Sequence, residues 1–510
     1  MKRTRQSGIL LHPTSLPGPY GVGELGDAAY RFVDFLAACE QSLWQVLPLG
    51  PTGYGDSPYA AFSAFAGNPV LVSLELLRVD GLLTEQDLAN APAFPEHVVD
   101  FGAVKAFRWQ MLERAFARYE ADRPAAVTRE LERFAREQAG WLEDYCLYMA
   151  LKEANDGAPW YAWDAPERDR ERKALARRRE QLAASVALHR FVQFLFYFQW
   201  QALRRYANAA GVKLLGDIPI FVAHDSADVW AHPELFLLDE QGRCTVVAGV
   251  PPDYFSNTGQ LWGNPLYRWD VLKKQGYAWW IDRFRLALTQ ADLVRIDHFR
   301  GFESFWEIPA DAETAVDGRW VKGPGLPFFD ALREALGALP IVAEDLGLIT
   351  PKVKALRRDI GVPGMAVLHF AFGGKADNEY LPHNLKPGCL LYTGTHDNDT
   401  TCGWYDGTSD QVRHHVRCYL GCDGNDVAWD LIRAALRSVA DTVVIPVQDL
   451  LSLGNSARMN QPASTTGNWN WRFREGALDE GLSARLRELT RLFGRAPASD
   501  AEDEATTGGR

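Results

Sequence analysis

The sequence predicts an α/β fold, a (β/α)8 TIM barrel with a large helical insertion after strand 2 and long active-site loops. Three observations carry this. Eight short apolar runs recur along the chain, most ending in a polar cluster. Helix-like segments separate several of them, as βαβ units of a parallel sheet require. A long stretch of helical periodicity rich in Arg, Glu and Ala interrupts the alternation once, between the second and third runs.

In chain order the predicted strands are residues 8–11, 43–47, 213–218, 293–296, 339–343, 366–370, 390–392 and 442–446. Helical periodicity is visible at 27–39, 277–289, 328–336 and 427–440, and within the insertion at 104–120, 126–150 and 168–208. The implied organisation is barrel strands 1–2 in 1–69, an inserted helical subdomain in 70–190, and the rest of the barrel in 191–497. Residues 223–270 hold Pro251-Pro252-Asp253-Tyr254-Phe255-Ser256 and Gly259-Gln260-Leu261-Trp262-Gly263-Asn264-Pro265. So many turn formers predict a long ordered loop over the site rather than a strand. The acidic stretch 498–510 is expected to be a disordered tail.

Composition narrows the function. The chain has 510 residues, 47% of them hydrophobic and 12% aromatic, and 54 basic against 66 acidic side chains leave a net charge of −12. A full-sized core is affordable in apolar surface, and the acidic balance argues against a phosphate-backbone binder. Seven cysteines contain no Cys-x-x-Cys pair and no zinc spacing, so reduced thiols are expected. Only a short apolar run, 8–11, follows the basic residues Lys2, Arg3 and Arg5, and the most apolar stretch, 191–203, is broken by Gln193, Gln199 and Gln201. These features predict a cytoplasmic protein with no membrane or nucleic-acid partner.

The chemistry lies at the strand ends, because barrel enzymes keep their sites at the C-terminal face. In Leu293-Val294-Arg295-Ile296-Asp297-His298, strand alternation places Arg295 and Asp297 on one face. If that face is interior, a guanidinium beside Asp297 favours its charged form, which suits a nucleophile; the alternative is an ion pair bracing the barrel mouth. In Ile341-Val342-Ala343-Glu344-Asp345, an apolar strand delivers Glu344 toward a partly dry site, which raises a carboxyl's pKa as a general acid requires. One of these two acids could instead cap the next helix, and Asp345 is the better cap candidate. The third cluster is Thr395-His396-Asp397-Asn398-Asp399. It lacks the rest of a calcium loop, and His396 lacks a zinc-spaced partner, so no metal is expected.

One ionised and one protonated carboxyl are the minimum for glycoside chemistry, and a third acid can stabilise an oxocarbenium-like transition state. Tyr59 and Trp262, set among Gly, Pro and Asn, would offer faces for pyranose rings. The G-x-G-x-x-G match at 21–26 is set aside as a dinucleotide site, because three prolines lie between strand and glycines. No G-x-S-x-G elbow or phosphate-binding P-loop is present.

Taken together, these motifs resemble the 4-α-glucanotransferases, or amylomaltases. The resemblance runs through Ser7-Gly8-Ile9-Leu10-Leu11-His12-Pro13-Thr14-Ser15-Leu16-Pro17, Trp44-Gln45-Val46-Leu47-Pro48, Ser57-Pro58-Tyr59 and Gly216-Asp217-Ile218-Pro219. It continues through the loop at Trp262, the three acid clusters, Arg458-Met459-Asn460 and Gly467-Asn468-Trp469. The resemblance implies a barrel related to the α-amylases and a retaining mechanism through a covalent glycosyl-enzyme. It implies no cofactor, and α-1,4-glucans as partners. Asp297 matches the nucleophile, Glu344 the acid/base and Asp397 the transition-state stabiliser. Tyr59, Asp217, Asp253, Gln260, Trp262, Arg295, His298 and His396 match sugar-contacting positions, and Asn460 joins them as a substrate-binding position beside the acceptor path. Two departures stand out: Ala463 follows Pro462 where glycine is expected, and His369 stands where glutamine is more usual. Neither touches the three acids. A glucan hydrolase with the same acids and a wetter site is the nearest alternative, and a non-catalytic glucan binder is a remote one.

Overall fold

A computed structural model describes residues 5–252, 256–462, 464 and 466–497. Twelve strands appear among them: β1 (Gln6–Leu10), β2 (Leu43–Gln45), β3 (Lys213–Pro219), β4 (Val246–Val250), β5 (Gln260–Pro265), β6 (Leu293–Asp297), β7 (Ser304–Pro309), β8 (Arg319–Lys322), β9 (Ile341–Ala343), β10 (Gly364–Val367), β11 (Cys389–Tyr392) and β12 (Thr442–Pro446). Eight close into a barrel in the order β1-β12-β11-β10-β9-β6-β3-β2, all pairs parallel. These are the eight predicted runs. Their near-continuous apolar character follows from burial on both faces: Val443, Val444 and Ile445 are fully buried between barrel interior and outer helices. Several boundaries differ from expectation; the run at 43–47, for one, ends as a strand at Gln45. The run at 339–343 forms a strand only from Ile341, and that at 366–370 leaves the strand after Val367 for a 3-10 turn at Leu368–Phe370.

Between β2 and β3 the chain runs through helices that include Phe101–Asp122, Ala125–Glu137, Ala139–Ala154, Arg172–Gln181 and Ala183–Ala209. The stretch 126–150 breaks once, at Gln138, and 168–208 breaks twice, at 169–171 and at Leu182; the ψ angles of Gln138 and Leu182, near 11° and 20°, leave the helical range. The helix Ala183–Ala209 feeds β3 directly. Two of the glutamines that interrupt its apolar run, Gln193 and Gln199, are buried and bonded. Gln193 accepts from the Gly67 amide at 2.7 Å and donates to its carbonyl at 2.9 Å. Gln199 treats Ser73 the same way, at 2.6 and 3.3 Å. Each amide thereby satisfies buried main-chain groups of the loop beyond β2.

The segment 223–270 corrects the sequence reading. It contains a helix, Ala227–Ala231, and two strands, β4 and β5, that join β7 and β8 in an antiparallel sheet of order β5-β4-β7-β8. The register slips between Val247 and Gly249, and a Cβ on Gly249 would lie 2.2 Å from the Gln260 carbonyl. Glycine is needed there for the strands to approach. Turn composition hid β4 and β5, and the further partner of β4, β7, lies far along the chain.

Candidate active site

Register sets the site. Asp217 pairs with Arg295 and Pro219 with Asp297 across β3 and β6, while Ile296 pairs with Ala343 across β6 and β9. The ends of three neighbouring strands therefore deliver Asp217, Asp297 and Glu344 to one side of the mouth. The buried Arg295 sits between the first two. Its Nη1 donates to Asp217 Oδ2 at 2.5 Å and its Nη2 to Asp297 Oδ1 at 2.8 Å. Burial pushes the Asp217 carboxyl up to about 7, against the pull of Arg295. Tyr59 donates its hydroxyl proton to Asp217 Oδ2 at 2.7 Å.

That phenol has one proton, so its 2.9 Å contact with His396 Nε2 requires the imidazole to donate. The two rings stack at 5.3 Å with 10° between planes. Burial lowers the His396 pKa, consistent with a neutral ring carrying its proton on Nε2. The same nitrogen lies 3.4 Å from Asp397 Oδ2. Asp397 Oδ1 accepts from Asn460 Nδ2 at 2.6 Å, and the Asn460 amide donates to the His396 carbonyl at 3.0 Å.

Glu344 is held from the backbone. His298, in the left-handed region at φ 50°, donates its amide to Glu344 Oε2 at 2.8 Å, and Leu346 donates to Oε1 at 3.0 Å. Burial, then the charge of Asp297, raises the Glu344 pKa to about 8. Near neutral pH this carboxyl keeps its proton.

Trp262 stands edge-on to the His298 ring at 4.8 Å and is 37% exposed. Its Nε1 donates to Gln260 Oε1 at 3.1 Å. Burial lowers His298 to about 3, so its ring is neutral. The structure thus links Tyr59, Asp217, Arg295, Asp297, His396, Asp397 and Asn460 through direct contacts. Glu344, His298, Trp262 and Gln260 form a second set that meets the first at the end of β6. Asp253, Ala463 and the tail 498–510 lie outside the described residues. Among the described residues, no group of three His, Cys, Asp or Glu side chains could hold a metal ion.

Three contributors escaped assignment. Arg458 donates to the Asp397 carbonyl at 2.7 Å and pairs with Asp399. The Trp469 ring leans on Tyr59 and His396 at 5.7 and 5.9 Å. Both belong to quoted motifs, and their cationic and aromatic character was the available signal. Asn398 Oδ1 accepts from the Thr395 amide and hydroxyl, both at 2.9 Å, and closes the turn before Asp397.

Two readings change. Asp345 caps no helix: Thr350 caps the next one, Pro351–Ile360. Asp345 instead accepts from the Met365 amide at 2.8 Å and pairs with Arg357 at 3.3 Å, tying β9 to β10. His369 is buried beneath the Asp397 loop. It stacks on Trp404 at 4.7 Å and contacts Thr401 Oγ1 at 3.0 Å, and that hydroxyl donates to Asp449.

Two acids joined by Arg295, a Glu344 held by backbone amides, and Asp397 set beside the His396 imidazole and aromatic faces fit glycoside transfer. The family model described as 4-alpha-glucanotransferase matches residues 11–478. The chain belongs to the 4-alpha-glucanotransferase family. It is a glycosyltransferase acting on α-1,4-glucans. The 4-alpha-glucanotransferase of Thermus thermophilus is 52% identical over 96% of this chain and 99% of its own, and that of Synechocystis is 51% identical over 96% and 98%. Among solved structures, the amylomaltase from Streptococcus agalactiae in complex with acarbose superposes with a TM-score of 0.94 at 39% identity, covering 97% of this chain and all of that one.

Proposed function

We propose that this glucanotransferase works by two displacements at one centre, with Asp297 as nucleophile, Glu344 as acid and base, and Asp397 as stabiliser of the positive sugar ring. In the first step the Asp297 carboxylate attacks the anomeric carbon of an α-1,4-glucan. The glycosidic bond breaks, Glu344 gives its proton to the departing oxygen, and the donor segment remains as an ester on Asp297. In the second, the 4-hydroxyl of an acceptor glucan attacks that carbon. Glu344, now ionised, takes the hydroxyl proton and Asp297 leaves, so the linkage retains its configuration.

The observation that carries this reading is the contrast between the two carboxyls at one mouth. Arg295 bonds Asp297 directly, whereas Glu344 is half-buried, bonded by backbone amides, and held protonated near neutral pH. Asn460 and His396 orient Asp397 from two sides. Tyr59, Asp217 and His396 supply hydroxyl-binding groups, Trp262 supplies a ring face beside Gln260 on β5, and Asp253, by its resemblance to the family motif, is proposed to contact sugar as well. The β5 strand bearing Trp262 and the loop bearing Asn460 are proposed to favour a sugar acceptor over water. No cofactor is needed, since every proton and electron pair in the sequence comes from the acids or the glucans. Seven free cysteines suit a reducing cytoplasm, where maltodextrin or glycogen would be the substrate.

Incubation with maltotriose, resolved by product size, tests transfer: glucose with maltopentaose and longer chains is expected. The residue assignment is tested by Asp297→Asn, which loses turnover while retaining measurable maltodextrin binding. Wild-type turnover in that variant overturns it.

A further inference from the structure

The opening motif at 7–17 has so far served only as a strand. Its His12 follows β1 at the catalytic face, is 4% exposed, and keeps Nδ1 buried without a partner. Next to it is a cavity of about 20 Å³ whose walls include His12, Ser15, Thr395, His396, Asn398 and Arg458. One water needs roughly 10–15 Å³ and two to four polar partners, so this space fits a single water.

We propose that His12 is a positioning residue for Asp397, acting through one internal water bound between His12 Nδ1 and the underside of the loop that carries His396 and Asp397. The inference rests on the assignment of Asp397 above. Three observations point to water rather than an ion. The cavity is too small for a hydrated ion. On its wall Arg458 pairs with Asp399, and the other acid, Asp449, is taken up by the Thr393 and Thr401 hydroxyls, so no free charge is left to hold an ion. The imidazole is neutral, since burial and the nearby His396 push His12 down to about 3. A water donates or accepts as the imidazole tautomer demands, and it leaves no buried nitrogen unsatisfied. The loop above gains a fixed floor. Its own ties, Asn398 to Thr395 and Arg458 to the Asp397 carbonyl, hold it from the sides.

Two variants separate this from a packing role. His12→Phe keeps a ring and removes the nitrogen, and His12→Asn places an amide near the Nδ1 position. With maltotriose, His12→Phe is expected to lower kcat about tenfold or more with KM within about twofold. His12→Asn is expected to recover kcat to within about threefold of wild type. Unchanged kcat in His12→Phe overturns the proposal. So does an equal loss in both variants, or a rise in KM alone. A crystal structure of the unaltered enzyme gives an independent reading: density for one water within hydrogen-bond distance of His12 Nδ1 is expected, and a dry cavity overturns the proposal. Asp397→Asn, measured alongside, separates the two levels. If it is inactive while His12→Phe is normal, only the role of His12 fails; if it is fully active, the assignment of Asp397 fails.

Discussion

The amide of His298 donates to Glu344 Oε2 at 2.8 Å, so the residue directly after Asp297 holds the second carboxyl in place. β6 thus presents one acid and grips the other. The left-handed backbone of His298 turns its amide away from the strand ladder and toward β9.

The first prediction concerns pH. Glu344 titrates near 8 because burial and then Asp297 disfavour its charged form. The acid step needs the proton, so kcat/KM for maltotriose holds below that value and falls as pH rises through it. Stability has the same sign: between the unfolded carboxylate value and about 8 the native state binds the extra proton, so stability falls as pH rises across this window. Glu344→Gln removes that slope, and its Tm advantage over wild type widens from acid to pH 8. A constant Tm difference across the range would contradict this.

Arg295 is the hinge of the charge balance. Arg295→Met leaves Asp217 and Asp297 side by side with no cation, and Asp217 is fully buried. A loss of about 3–5 kcal/mol in unfolding free energy is expected. Adding Asp217→Asn recovers part of it above pH 7, where the Asp217 carboxyl, raised to about 7, would otherwise have to bury its charge without a cation. Denaturant titration of the single and double variants checks both statements.

Trp262 acts on binding rather than chemistry. It is partly exposed and touches His298 but none of the three acids. Trp262→Ala should raise KM by about two- to tenfold, the equivalent of roughly 0.5–1.5 kcal/mol of ring contact. kcat for transfer changes less, and the hydrolysed fraction of products increases. Product sizing at fixed conversion measures the last effect.

His369 is predicted to be structural. It is 7% exposed, stacks on Trp404, and bonds Thr401 above Asp449. A Cβ on Gly394 would lie 2.6 Å from its ring, so the loop start fits closely over the imidazole. His369→Leu should cost about 0.5–1.5 kcal/mol through the lost hydrogen bond. His369→Gln should leave the product-size distribution unchanged. A shift in product size would show instead that this position reaches the glucan.

The barrel was legible because its strands are short apolar runs ending in polar residues, a local pattern that burial on both faces imposes. The acids were legible for the same reason: Asp297 and Glu344 sit where such runs stop, and alternation puts Arg295 beside Asp297. Family motifs added Asp217, His396 and Asn460, and the contacts join them into one network. The sheet formed by β4, β5, β7 and β8 was not legible, since β4 meets β5 across a bulge in a turn-rich stretch and its other partner, β7, lies far along the chain. Nor was the use of Asp345, which reaches Met365 and Arg357 instead of the neighbouring helix. Residue order and alternation thus set which side chains stand at the barrel mouth, because both act within a few residues. Which carboxyl keeps its proton, which amide holds it and what lies beneath His396 depended on burial and on contacts between distant segments, and these exist only once the barrel has closed.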